Sequence, residues 1–100
     1  MDEDTYQLIA NVLTSSVVGQ WEQIVLKADL GEDGAGFEAE SYYRGRRRSV
    51  ELRHLNLLMD LLLELRRITE SMDGPGKGKW RSLMYRLQRN GEFDVEFGYD

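Results

Sequence analysis

Residues 83–99, LMYRLQRNGEFDVEFGY, decide the fold of this 100-residue chain. Leu83, Tyr85 and Leu87 share one parity, with Met84 and Arg86 on the other. Past Asn90-Gly91 the beat resumes as Phe93, Val95, Phe97 and Tyr99 against Glu92, Asp94 and Glu96. Side chains alternate across a strand, so both segments read as strands with one apolar and one polar face. Asn90-Gly91 suggests a two-residue hairpin, but that loop sets Leu87 opposite Asp94 and turns an apolar face to water. A three-residue loop, Arg89 to Gly91, with Gly91 left-handed in a bulge, pairs Leu87 with Phe93, Tyr85 with Val95 and Leu83 with Phe97. Arg86 then faces Asp94 on the outer surface.

Residues 21–43 repeat the pattern. Ile24, Leu26, Ala28 and Leu30 alternate with Gln23, Val25, Lys27 and Asp29, and past the turn GEDG, Phe37, Ala39 and Tyr43 alternate with Glu38, Glu40 and Tyr42. Setting apolar opposite apolar pairs Ala28 with Phe37 and Leu26 with Ala39, leaving a four-residue loop at 31–34 and Lys27 opposite Glu38. Two segments carry the helical period instead. Asp4 is a plausible N-cap with Gln7 three residues on, and Tyr6, Ile9, Leu13 and Val17 form a stripe that Gly19 can end. A longer pattern runs from about Ser49 to Met72, with Leu55, Leu58, Met59, Leu62 and Leu65 on one face and further leucines almost all round. Residues 73–79, DGPGKGK, stop it and read as a connector, lacking the ending of a phosphate loop.

The expected architecture is therefore α+β, in the order helix, hairpin, helix, hairpin. Its four-stranded antiparallel sheet, taken as a meander, carries both helices on one face. One hundred residues make a single domain, 1–100.

Composition narrows the function. The absence of cysteine excludes disulfides and thiolate metal sites and fits a reducing cytoplasm. The acidic start MDEDTYQL is unlike a secretory signal, and LNLLMDLLLEL is too short and too polar to span a membrane. His54 stands alone, without partners for a metal or a base, and reads as an ordinary helix residue. Glu64 and Glu70 beside Arg66 and Arg67 read as helix-surface ion pairs. No nucleophile, base and orienting group assemble, so neither catalysis nor a cofactor is expected.

The net charge of −5 is unevenly spread. Residues 1–43 hold nine acids against one lysine and residues 92–100 four acids and no base, whereas residues 44–53, RGRRRSVELR, hold five arginines and one acid. With one sheet side given to the helices, the other parity collects Asp29, Glu38, Glu40, Glu92, Asp94 and Glu96, tempered by Lys27 and Arg86 and dotted with Val25, Tyr42 and Met84. A plain solvated face has this composition too. The sharper expectation is a docking face for a basic partner, with Asp29, Glu38, Glu40, Tyr42, Met84, Glu92, Asp94 and Glu96 in contact and Tyr42 as the central anchor. Two alternatives stand beside it: a nucleic-acid module using Arg44 to Arg48, and a homo-oligomer joined through the leucine-rich helix.

YQLIA near the start, WEQIVLKADL, LLLELRR and above all residues 79–100, KWRSLMYRLQRNGEFDVEFGYD, resemble the YezG-like family of bacterial immunity proteins. The most specific part is Trp80, Asn90-Gly91-Glu92-Phe93 and Tyr99-Asp100. Gly19-Gln20 stands where family members carry Ile-Pro or similar, and RGRRRSVELRH is more basic than the usual link. The resemblance implies a cytoplasmic antitoxin that neutralises, by tight stoichiometric binding, the toxic C-terminal domain of a secreted or contact-delivered toxin, commonly a nuclease. No membrane partner and no direct nucleic-acid partner is expected.

Overall fold

Both hairpins fold in the register that parity dictates. The computed structural model describes residues 2–31, 34–73 and 80–99. The order is α1 (Asp2–Ser16), β1 (Gln23–Gly31), β2 (Gly34–Tyr43), β3 (Arg46–Val50), α2 (Leu55–Asp73), β4 (Ser82–Gln88) and β5 (Phe93–Gly98). Leu26 faces Ala39 and Ala28 faces Phe37 across β1 and β2. Between β4 and β5, Leu87 faces Phe93, Tyr85 faces Val95, Leu83 faces Phe97 and Arg86 faces Asp94. Gly91 has φ 96°, and the Gln88 amide donates to the Glu92 carbonyl at 2.8 Å, which closes the three-residue loop. At the other hairpin the register stands, but pairing runs on to Gly31 and Gly34, tighter than the expected four-residue loop. Residues 74–79 of the glycine-rich connector lie outside the described residues.

The sheet has five antiparallel strands, not four, in the order β3-β2-β1-β4-β5. The added strand is RRRSV, Arg46–Val50, whose arginines read in sequence as a link between elements and whose Ser49 and Val50 read as the opening of the second helix. Arg44 (φ 51°) and Gly45 (φ 77°) both lie in the left-handed region, which is the two-residue hairpin turn whose twist matches that of the strands. Arg44 is held there by its amide, which donates to the Glu22 carboxylate at 2.7 Å, and its guanidinium lies over the Tyr43 ring. Tyr43 faces Arg46 and Tyr42 faces Arg47. The first unit is thus a three-stranded meander rather than a hairpin, and α2 begins at Leu55 rather than near Ser49.

The expected meander through all strands is also corrected. β4 pairs with β1, setting Leu26 against Tyr85 and Ala28 against Leu83. β1 is the most apolar strand, with Ile24, Leu26, Ala28 and Leu30 all almost wholly buried. Placing it centrally lets ladders on both sides satisfy its backbone while the less apolar strands take the edges.

The helices cover the face carrying these residues. Ile9 and Leu13 of α1 and Leu58, Leu62 and Leu65 of α2 are fully buried in one core with Trp80 and Tyr85. The Trp80 indole donates to Thr69 Oγ1 at 3.0 Å and packs on Phe97, tying α2 to the far end of the sheet. α1 ends at Ser16, before Val17 and Gly19. The Ser16 hydroxyl bonds back to the Val12 carbonyl and accepts the Arg53 amide at 2.9 Å. Gln7 reaches Asn11 rather than closing a capping box.

Candidate interaction surface

The uncovered sheet face is ordered by the strand registers. One row across it reads Ser49, Glu40, Val25, Arg86, Asp94, and the next reads Glu38, Lys27, Met84, Glu96. Beyond these, Asp29 lies between Gly36 and Ser82, and Tyr42 lies between Arg47 and Gln23. The registers place Asp29, Glu38, Glu40, Tyr42, Met84, Asp94 and Glu96 on this face, with Lys27, Val25 and Arg86 and with Arg47, which sequence reasoning missed; Glu92 lies just before β5, in the loop that closes the hairpin.

The carboxylates are not equally free. Arg47 Nε reaches Glu40 at 2.9 Å, and Lys27 Nζ approaches the same carboxylate at 4.0 Å rather than Glu38, which faces it in register. Arg86 Nη1 bridges Asp94 at 2.8 Å and Glu96 at 3.5 Å, and its hydrogen bond to Asp94 raises its pKa further still. Glu40 and Arg86, flanking Val25 in register, leave that valine only 7% exposed, so Val25 is cover for the sheet rather than part of the open surface. Asp29, Glu38 and Glu92 are exposed and have no ion pair among the described residues. Among the described residues, the paired strands give this face five carboxylates against three bases, with Glu92 in the adjoining loop.

A shallow groove crosses the acidic half, lined by Asp29, Glu38, Lys27, Met84 and Glu96. Gly36 and Gly98 lie along it and keep it open; a Cβ added at Gly98 would run into the Ser82 hydroxyl. Met84 is therefore the apolar centre of the acidic rows. Tyr42 is half-buried and sits toward the basic edge, away from the centre expected for it.

Other candidates hold structure. His54 is not a helix residue: it precedes α2 with φ 57°, and its carbonyl accepts the Leu58 amide at 3.0 Å. Glu64 pairs with Arg67, whose hydrogen bond holds its carboxyl below the usual range. Among the described residues, no three His, Cys, Asp or Glu residues gather to hold a metal, and no helix is long and apolar enough to cross a membrane.

The geometry defines a two-layer α+β domain that gives one sheet face to its helices and keeps the other open, acidic and grooved. No family model matches the chain. It is similar to the Immunity protein YezG of Bacillus spizizenii, 26% identical over 111 aligned residues that cover 97% of this chain and 68% of that protein. The Immunity protein YezG of Bacillus subtilis is 28% identical over 112 aligned residues, covering 98% and 73%. Similarity over nearly the whole chain to both supports the YezG-like immunity family.

Proposed function

We propose that the chain is an immunity protein, a cytoplasmic antitoxin that binds the toxic domain of a bacterial toxin and carries out no reaction of its own. The observation that carries this is the open sheet face: an excess of carboxylates around a groove centred on Met84, in a chain whose relatives bear the name immunity protein. A basic nuclease domain fits it best. Its cleft is built to attract polyanions, and an acidic face competes for that cleft on the same electrostatic terms.

The uneven pairing of the acids assigns them different roles. Asp29, Glu38 and Glu92 offer charge that no partner among the described residues claims, so a toxin lysine or arginine gains a partner at little cost to the fold. Asp94, Glu96 and Glu40 are already held by Arg86 and Arg47, which fixes their positions before the partner arrives. Met84 supplies apolar contact inside the polar rim, and Tyr42 extends the surface toward the β3 edge. Opposite fields speed encounter toward ~10⁸–10⁹ M⁻¹s⁻¹ at low salt, which suits a cell that already contains the toxin.

The test is co-expression with the toxin domain encoded beside this chain, scored by survival and by one-to-one co-purification. Survival that is lost when Asp29 and Glu38 are both changed to Lys, with the fold intact, supports the reading. A toxin that kills despite the unaltered chain, or that never co-purifies with it, refutes it.

A further inference from the structure

The opposite charge collects at the other edge of the sheet. Arg46 and Arg48, in register with Tyr43 and Ser41, lie on the helix side of β3, and Arg47 lies on the open side. Arg46, Arg48 and the nearby Arg53 are exposed and have no ion pair among the described residues. A cavity of about 430 Å³ opens between this edge and the end of α1, lined by Arg48 and Arg53 with Val18, Val50 and Leu52, and by one carboxylate, Glu51. A second depression, beside Tyr43 and Arg46, shares Arg48 with it. Val18 is 77% exposed there.

β3 is an edge strand. The two-residue turn at Arg44-Gly45 makes Tyr43 and Arg46 a hydrogen-bonded pair, and pairs alternate along an antiparallel ladder. The backbone groups of Arg47 and Ser49 therefore point away from β2, ready for a further strand.

Charge selects the occupant. Edge arginines repel like strands, and a second copy joined β3 to β3 would oppose Arg46, Arg47 and Arg48 to themselves. A nucleic acid gains phosphate contacts, but the ring on the helix side of this edge, Tyr43, is already covered by Arg44, and a nucleic acid has no use for Val18, Val50 and Leu52. We propose that the β3 edge takes an extended acidic segment of another protein as a sixth strand, its carboxylates against Arg46, Arg48 and Arg53 and an apolar side chain in the groove. This surface is separate from the acidic face, and its test is independent of any toxin.

The probe is a short fluorescein-labelled peptide whose every second residue reads Glu, Glu, Val with Thr between them, so that the carboxylates and the apolar side chain fall on one face of the added strand; it is titrated with the whole chain and followed by anisotropy. Saturable binding is expected, with protection of the Arg47 and Ser49 amides from hydrogen exchange. Arg46→Glu with Arg48→Glu should weaken it about tenfold or more. Ser49→Pro, which removes an outward N–H and leaves the charge unchanged, should weaken it as well. Should that variant fail to fold, exchange at the two amides decides in its place. The proposal is overturned if the unaltered chain does not bind, or if binding leaves both amides unprotected. It is overturned equally if a mixed-sequence single-stranded oligonucleotide binds as tightly through the same arginines, or if the chain forms a dimer that the arginine variants abolish.

Discussion

Tyr85 does two jobs with one side chain. Its ring is fully buried, stacked on Phe93 at 5.4 Å and near Tyr6, and its hydroxyl donates to the Tyr6 carbonyl at 3.0 Å, joining β4 to α1. Burial, with a smaller contribution from Tyr6, raises its pKa well above the ordinary phenol range. A phenol whose folded pKa exceeds its unfolded value contributes stability that is complete below about pH 10 and is lost as pH climbs toward the folded pKa. Tyr85→Phe should cost about 1 kcal/mol at neutral pH by removing the buried hydrogen bond from its hydroxyl to the Tyr6 carbonyl. It should also flatten the decline in urea-melt stability above about pH 10. An unchanged alkaline limb would mean that another group drives it. Trp80 is the comparable residue at the opposite end, and Trp80→Ala should cost about 3–5 kcal/mol by leaving a cavity under α2.

At the scale of elements, turns and edges decide what the sequence discloses. Both long hairpins were legible because a one-residue slip would have carried Leu87 or Leu26 into water, so their register had one apolar solution. β3 was not legible. Its two parities are Arg46, Arg48, Val50 and Arg47, Ser49, and an edge strand exposed on both sides carries no apolar beat for a reader to find. The usable signal was Arg44-Gly45, a turn with an unusual first residue. The start of α2 is hidden with β3, because the helical period carried back from Leu55 runs on through residues 49 and 50, which belong to that strand. Two left-handed glycines now carry testable weight. Gly91→Ala and Gly45→Ala should each destabilise by about 1 kcal/mol, read in chemical melts. Gly36→Ala, in open space with φ outside the left-handed region, should cost less than either.

Over the whole molecule, strand order was hidden because neighbours in sequence are usually neighbours in a sheet, and here α2 carries the chain from the β3 edge back to the centre. Face assignment survived that error, since parity within each strand does not depend on which strand lies beside it. The same holds for the candidate surface: its residues were readable, but the ion pairs that, among the described residues, leave Asp29, Glu38 and Glu92 unclaimed needed the third dimension. The exposed leucines of α2, Leu55, Leu57 and Leu63, form no single stripe, because Leu57 stands about 120° or more from the other two around the helix. A light-scattering mass of one chain is the expected result.

Stopped-flow association with the toxin domain, measured across a salt series for the unaltered chain and for Asp29→Lys with Glu38→Lys, bears most directly on the acidic face as the docking surface. Docking through that face requires the association rate of the unaltered chain to fall steeply with salt. The double variant should associate about tenfold or more slowly at low salt while melting at the same temperature. Equal rates for the two proteins, with the same salt slope and undiminished protection, would contradict it and put the toxin on another surface.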